Sequence, residues 1–322
     1  MNNKNEILEM LLPKNQLKLY GYKKYFDTFI KLLKNKKLPN TILLSGPKGS
    51  GKATFAYHFI NYLLSANEEK KYSLTDFTIN PDNKSYKSVC NLTHPNFVLL
   101  NNIGFEENIK IDKVRDVLKF LKKTVYKSNI KIVLIDNLEY LNISSSNSLL
   151  KSLEEPNSNT FFFLIHNSAN KILNTIKSRC IEFKFFFNIN EKNYILKNIS
   201  NQLSIDLFSK EISKNLYFDS PGNLLRCQLL YYEDSFKTLD NKISCISFLV
   251  EKYKQKKDPQ LLTYISCLIE LYYNELSIKN IQNVNFHFFN RFKILKEIND
   301  AKKFNLDKNN LLISFQDLIK NE

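Results

Sequence analysis

Residues 41–53 read TILLSGPKGSGKA, an apolar run followed at once by a glycine-rich turn and a lysine. The run predicts a buried strand, and the turn leads into a helix that begins near Lys52. In this order, backbone N–H groups point at phosphate oxygens and the lysine contacts the β and γ phosphates. The stretch therefore predicts a phosphate-binding loop. Its residues are Gly46, Pro47, Lys48, Gly49, Ser50, Gly51, Lys52 and Ala53.

The loop departs from the pattern G-x-x-x-x-G-K-[ST] at its last position, which is Ala53. The hydroxyl that usually follows the lysine ligates Mg²⁺, and alanine has no oxygen to offer. Thr54 lies about 100° further around the helix and is a poor substitute. ATP and ADP are the expected ligands of this loop, bound weakly or not at all.

A second defect lies at the end of the apolar run 132–135, which continues as Asp136 and Asn137. Asp136 is suited to hold a metal ion through water. Asn137 stands where a glutamate would polarise the attacking water, and losing a general base usually costs ~10²–10⁴ in rate. We interpret Glu139, two positions further on, as a surface charge. The two defects together predict slow or absent hydrolysis in this site.

Four more apolar runs predict strands at 96–100, 131–135, 161–165 and 181–185. Helical spacing of apolar residues separates them, notably at 111–121 and at 144–155, where Pro156 ends the helix. Strands without polar alternation, separated by helices, indicate a parallel sheet covered on both faces. We therefore predict an α/β nucleotide-binding core at residues 1–187. Within it, residues 67–92 are polar and irregular and predict a surface insertion.

The chain changes character after residue 187, where no further strand is predicted. We expect a small helical lid at 188–240, broken at Ser220-Pro221-Gly222, and an all-α domain at 241–322. Apolar residues recur at helical spacing within the second of these. They do so at 243–253, 261–276 and 311–319.

Composition excludes several classes of protein. No apolar run approaches the ~18 residues of a membrane helix, and the first residues start no signal peptide, so we expect a cytoplasmic protein. The five cysteines are scattered without a CxxC pair, which argues against a disulfide framework and against zinc or another metal site. The net charge is +15, and residues 1–60 contribute eleven lysines against three acids. This excess leaves direct DNA contact open.

Two later motifs resemble the clamp-loader group of AAA+ proteins. Residues 147–156 read NSLLKSLEEP, matching N-x-L-L-K-x-L-E-E-P, and residues 178–180 are Ser-Arg-Cys. Their order and separation are specific to that group, and the similarity extends over about residues 14–185. The resemblance implies a P-loop AAA+ core followed by a helical lid and an all-α collar domain that holds subunits together.

The resemblance also assigns roles. Arg179 would act in trans as an arginine finger on nucleotide bound by a neighbouring ATPase subunit, where such fingers are worth ~10³–10⁵ in rate. The alternative is that Arg179 only pairs with a local carboxylate such as Glu182. Asn167, or His166 beside it, stands where a sensor residue would contact phosphate or water. The lid sensor is either Asn223 or Arg226. Implied partners are the gamma/tau and delta subunits, the sliding clamp and primed DNA, in a hetero-oligomer.

The group's gamma/tau ATPases would show an intact G-K-[ST], a D-E pair and a four-cysteine zinc module, and this chain has none of these. The chain is similar instead to members with a degenerate nucleotide site and a retained arginine. Two alternatives stay open at this point. One is an active clamp-loader ATPase that tolerates Ala53 and Asn137, and the other is a basic DNA-binding module with a vestigial P-loop fold.

Overall fold

A computed structural model describes residues 4–101, 109–123, 130–157, 159–168, 170–203, 220–225, 242–256 and 259–304. Contacts between Cα atoms divide the chain into two units. The first comprises Met1–Ser204 with Ser220–Gly222, and the second comprises Ile205–Asp219 with Asn223–Glu322.

The first unit is built on a sheet of five parallel strands in the order β2-β3-β4-β1-β5. The strands are β1 (Thr41–Gly46), β2 (Phe97–Leu100), β3 (Lys131–Ile135), β4 (Thr160–Asn167) and β5 (Ile181–Lys184). All five predicted strands are confirmed. Because the strands run parallel, the residues that follow β1, β3 and β4 meet at one edge of the sheet, the edge where α/β folds bind ligands.

Helices of the first unit connect the strands. They are α1 (Lys4–Met10), α2 (Lys23–Lys34), α3 (Lys52–Leu64), α4 (Lys84–Cys90), α5 (Ile111–Lys122), α6 (Ile143–Glu154), α7 (Asn174–Lys177) and α8 (Ile189–Leu203). The predicted helices at 111–121 and 144–155 are confirmed to within one residue. Helix α6 ends because Glu155 precedes Pro156, whose ring disfavours the helical conformation of the residue before it. Glu155 accordingly has φ −122° and ψ 66°.

Two apolar clusters cover the two faces of the sheet. One is largely aromatic and includes Phe26 and Phe29 of α2 with Phe55 and Phe59 of α3, all fully buried. The other packs aliphatic side chains of α5, α6 and α7 against the opposite face. It includes Val114, Val117, Leu149, Leu153 and Ile176. Burial on both faces is the reason why the strands show no polar alternation.

The expectation that residues 67–92 form an irregular surface insertion is only partly right. Residues 67–83 contain turns and no named helix or strand, but several side chains of the segment are packed into the core. Tyr72 stacks on Phe26 of α2 at 5.2 Å between ring centroids, and Phe77 meets the same ring edge-on. Val89 of α4 is also buried in the aromatic cluster. These apolar residues follow neither a helical nor a strand period, so the sequence pattern carried no sign of their burial.

Glu68 stabilises residues 67–92 through hydrogen bonds to the first residues of α4. Its carboxylate accepts hydrogen bonds from the backbone N–H groups of Lys84 and Ser85, both at 3.0 Å. It also accepts from Asn83 Nδ2 at 2.8 Å. A carboxylate at the start of a helix satisfies N–H groups that have no partner within the helix.

The second unit is helical in its described part. Its helices are α9 (Lys242–Lys256), α10 (Pro259–Lys279) and α11 (Val284–Phe304). Their shared core includes Ile246, Leu249, Ile265, Ile269 and Ile298. The helices predicted at 243–253 and 261–276 are confirmed, whereas 311–319 lies outside the described residues. No strand occurs after residue 187 in the ranges given above.

The predicted lid is described only at residues 188–203 and 220–225, and residues 221–225 are helical. The division into core, lid and C-terminal domain at residues 187 and 240 therefore stays a prediction.

Candidate functional site

The predicted phosphate loop joins the end of β1 to the start of α3. Gly46 ends the strand, and α3 begins at Lys52. A Cβ on Gly46 would lie 2.2 Å from the carbonyl oxygen of Phe185, so no larger residue fits beside the segment after β5. Gly49 and Gly51 have φ values of 79° and 82°. The strand, turn and helix that the sequence predicts are therefore all in place.

Lys52 is buried, and its ammonium group is directed at the loop itself. Nζ donates to the carbonyl oxygens of Gly46 and Pro47 at 2.8 and 2.6 Å, and to Ser50 Oγ at 3.3 Å. Burial lowers the pKa of Lys52 to about 8, against the opposing influence of nearby Glu139 and Asp136. A phosphate ligand would have to compete with these acceptors for the ammonium group.

Ala53 follows Lys52 in α3 and packs against the aromatic cluster. It therefore offers a methyl group to the core and no oxygen to a metal ion. Thr54 is the next residue along the helix and is half-buried.

Asp136 and Asn137 follow β3 at the edge of the sheet where the loop lies. Burial raises the pKa of Asp136, although a backbone hydrogen bond from Asn137 and two nearby lysines oppose the shift. Asn137 has a left-handed conformation, φ 59°, and begins a short 3-10 helix over Leu138–Tyr140. Asparagine tolerates this conformation better than glutamate does. The backbone thus suits the amide that replaces the expected carboxylate.

Glu139 is the site residue that the sequence analysis misplaced. It is half-buried, and its Oε2 accepts a hydrogen bond from the backbone N–H of Asn167 at 3.2 Å. The interpretation of Glu139 as a surface charge is wrong, because the short helix after Asn137 turns it toward the end of β4. The only advance sign was its distance of three residues from Asp136.

Asn167 is the last residue of β4 and is paired in register with Gly46 of β1. The structure thus brings the predicted sensor position next to the phosphate loop. The neighbouring His166 lies on the opposite side of the strand, and its Nε2 is 2.9 Å from the carbonyl oxygen of Asn170.

Ser220-Pro221-Gly222 contacts the phosphate loop directly. Ser220 Oγ donates to the carbonyl oxygen of Lys48 at 2.6 Å, and the Gly222 N–H donates to that of Gly49 at 3.0 Å. A Cβ on Gly222 would lie 2.7 Å from the Gly49 oxygen. The sequence analysis treated this tripeptide as a helix break and as the residues before the lid sensor, and it did not predict the contact with the phosphate loop. Of the two candidate lid sensors, Asn223 lies in the helical segment 221–225, and Arg226 lies outside the described residues.

Arg179 lies just beyond α7, away from the phosphate loop in sequence and in contacts. Its Nε and Nη2 donate to Glu154 Oε2 at 3.1 and 3.0 Å, and its Nη1 donates to the carbonyl oxygen of Thr175 at 2.9 Å. The side chain is 29% exposed. A local carboxylate does pair with Arg179, but it is Glu154.

Glu182, which the sequence analysis named as the alternative partner of Arg179, has partners of its own. It accepts from Ser45 Oγ at 2.6 Å and lies 3.4 Å from Lys177 Nζ.

The neighbouring Cys180 has little nucleophilic character. Burial raises the pKa of Cys180 to about 12, which leaves its thiol protonated and poorly nucleophilic. Within the described ranges no three His, Cys, Asp or Glu side chains come together as metal ligands. The same ranges contain no helix with the length and apolar character needed to cross a bilayer.

Comparisons with known proteins agree with the geometry. A sequence profile of the family described as "DNA polymerase III, delta subunit" matches residues 21–188. The DNA polymerase III delta′ subunit of Pseudomonas aeruginosa is 34% identical over 140 residues, which are 44% of this chain and 41% of that relative. The chain thus spans about two fifths of that relative's length. The delta′ subunit of Buchnera aphidicola subsp. Acyrthosiphon pisum is 26% identical over 281 residues, 80% of each chain.

The chain also resembles solved structures, among them a DNA polymerase III gamma subunit-related protein from Thermotoga maritima, with a TM-score of 0.51 and 16% identity over 90% of this chain and 97% of that one. At this identity the likeness shows the fold alone. The parallel sheet and its flanking helices are the α/β P-loop AAA+ architecture that the sequence predicts.

Proposed function

Since the chain belongs to the DNA polymerase III delta-subunit family, we propose that it is a clamp-loader subunit of the delta′ type. It supplies Arg179 in trans to a neighbouring ATPase subunit, and its own nucleotide site is degenerate. The single observation that carries the proposal is the combination of a partly exposed Arg179 with a phosphate loop that ends in Ala53.

The chain's own site supports the degenerate part of the proposal. Residues 46–52 have the backbone to surround a phosphate group, so ATP or ADP would be held there by backbone N–H groups and Lys52. Lys52 is already engaged by three acceptors of the loop, which weakens such binding. Ala53 gives Mg²⁺ no oxygen, and Asn137 gives water no base. We expect ADP or ATP to bind weakly and to be hydrolysed slowly or not at all.

Arg179 acts by charge and shape. A guanidinium is always protonated and presents several N–H donors in a plane, which matches the oxygens of a phosphoryl group. In the transition state of phosphoryl transfer, negative charge spreads over these oxygens, and an arginine placed against them stabilises that charge. The proposed ATP is bound by the adjacent subunit, so Arg179 completes a site that this chain does not itself contain.

The proposed assembly includes the gamma or tau ATPases and the delta subunit, and through them the sliding clamp and primed DNA in the cytoplasm. The two relatives reported above are delta′ subunits of DNA polymerase III by name, which supports this choice of assembly. The second unit would hold the chain in the assembly.

The test is the ATPase activity of the reconstituted complex, stimulated by clamp and primed DNA, with wild-type chain or Arg179→Ala. We expect turnover to fall by roughly 10³ with assembly intact, since the finger acts on the chemical step. Arg115→Ala is a matched control, because Arg115 is also an arginine paired with one carboxylate, Asp112, on an exposed surface. Equal turnover in the two variants would refute the finger.

One observation favours a second candidate function, an active ATPase. Glu139 is half-buried, its carboxylate contacts the last residue of β4, and it lies close enough to Lys52 to influence the charge of that lysine. It is therefore a carboxylate in the region where a general base would be needed. Mg²⁺-dependent ATP hydrolysis by the isolated chain, abolished in both Lys52→Ala and Glu139→Gln, would favour this function over a degenerate site.

A further inference from the structure

The ion pair between Glu154 and Arg179 joins the two motifs that carry the resemblance, and we propose that Glu154 is the positioning residue for Arg179. Glu154 is the last residue of α6, and Arg179 follows α7. Two guanidinium nitrogens share its Oε2 at 3.1 and 3.0 Å. The inference rests on the proposed function, because a positioned arginine matters only if Arg179 acts on nucleotide.

The contacts hold the guanidinium from two sides and leave part of it available. Nε and Nη2 donate to the α6 carboxylate, and Nη1 donates to the Thr175 carbonyl oxygen in α7. Each terminal nitrogen of arginine carries two hydrogens, so Nη1 and Nη2 each keep a second N–H beyond these contacts. Those N–H groups belong to a side chain that is 29% exposed. They suit two oxygens of an incoming phosphoryl group.

Stability does not explain the pair. The Glu154 side chain is 57% exposed, and ion pairs at such positions contribute little to folding. A carboxylate at the carboxyl end of a helix also lies near unpaired carbonyl groups, where the helix dipole favours positive charge. Glu154 is therefore unfavourably placed for α6 itself and favourably placed for Arg179.

Orientation does explain it. A free arginine side chain samples many rotamers, and a finger must occupy the one that meets the transferring phosphoryl group. Fixing that rotamer before the neighbouring nucleotide arrives removes an entropic cost from the reaction. The carboxylate of Glu154 and the carbonyl of Thr175 provide this fixation from the ends of two helices packed on the same face of the sheet.

The test uses the same reconstituted complex and a double-mutant cycle. Glu154→Ala should lower kcat by about tenfold, within the ~10² that misplacement of a reacting group can cost, and leave the KM for ATP unchanged. Glu154→Gln keeps an acceptor oxygen and should lose less. The double variant with Arg179→Ala should equal Arg179→Ala alone, because Glu154 acts only through the arginine.

Glu155→Ala is the matched control, since Glu155 is an adjacent exposed glutamate outside α6. Complexes must assemble equally in every variant, as judged by size-exclusion chromatography. If Arg179→Ala lowers turnover but Glu154→Ala behaves like Glu155→Ala, the inference is overturned and the proposed function stands. Faster turnover with Glu154→Ala would also overturn the inference, because it would show that the Glu154 carboxylate keeps Arg179 away from the neighbouring nucleotide. Normal turnover with Arg179→Ala would refute both.

Discussion

Lys52 illustrates at the residue scale how burial changes the chemistry of a familiar motif. Its ammonium group lies in the protein interior and is satisfied by oxygens of its own loop. The sequence correctly places this lysine at the start of a helix. It does not reveal that the lysine donates to Gly46 and Pro47, because that depends on how the loop curls around the side chain.

The low pKa of Lys52 predicts a pH dependence of stability. Its pKa is about 8 in the folded chain and 10.5 for an unperturbed lysine, so between these values the unfolded chain binds more protons. The free energy of unfolding should therefore rise with pH across this window. Relative to Lys52→Met, which cannot titrate, the wild type should gain up to about 3 kcal/mol.

Urea unfolding of the wild type and Lys52→Met between pH 7.5 and 10.5 measures this difference. Lys119→Met serves as the control, because Lys119 is an exposed lysine of α5. If the free energies of unfolding of the wild type and Lys52→Met depend on pH in the same way, Lys52 does not lie in an environment that disfavours its charged form.

At the scale of elements, the contact between Ser220-Pro221-Gly222 and the phosphate loop joins segments about 170 residues apart in the chain. Gly222 lies in the helical segment 221–225 and is not among the glycines with positive φ. Alanine there should ordinarily stabilise a helix by about 1 kcal/mol. In this structure its Cβ would meet the Gly49 oxygen at 2.7 Å.

We therefore expect Gly222→Ala to destabilise the chain by about 1–3 kcal/mol, the usual cost of overpacking. Ser220→Ala, which removes one hydrogen bond without a clash, should cost about 1 kcal/mol. Thermal unfolding monitored by circular dichroism gives both values. If Gly222→Ala instead stabilises the chain, Gly222 does not pack closely against the carbonyl oxygen of Gly49.

Helix α4 allows a second prediction at this scale. Glu68→Ala removes the acceptor of two backbone N–H groups at the start of α4 and should cost about 1–3 kcal/mol, since those groups lose a charged partner. Glu69→Ala is the control, because Glu69 is exposed. Equal unfolding midpoints for the two variants would show that residues 67–92 do not depend on Glu68.

At the scale of the whole molecule, the net charge of +15 is the most general property of the chain. We expect the isolated chain to bind duplex DNA weakly and without sequence preference, with Kd of about 10⁻⁴–10⁻⁶ M near physiological salt. Affinity should fall steeply as salt increases, because binding releases counterions. Fluorescence anisotropy over a salt series measures this. Nanomolar binding at physiological salt would instead support a primary DNA-binding module.

The order of elements along the chain could be predicted from local patterns. Apolar runs predict strands β1 to β5, and helical spacing together with one proline predicts the helices at 111–122 and 143–154. The same signals predict the change to helices after residue 187. The loop residues 46–53 and Asp136 were predicted for the same reason, since each lies next to a strand with a readable pattern. Such signals are local because hydrophobic periodicity and proline geometry act over a few residues.

Contacts between distant segments were decided only by the tertiary structure. Three contacts of this kind join residues that are 25 to 173 positions apart in the chain. They are the ion pair between Arg179 and Glu154, the contact between Gly222 and Gly49, and the hydrogen bond between Glu139 and Asn167. The burial of Tyr72 and Phe77 against Phe26 is of the same kind. No local period encodes these contacts, because each depends on where the sheet places two segments in space. The sequence by itself therefore determined the order of strands and helices and the location of the predicted phosphate loop, whereas packing determined which groups the charged side chains of the site meet.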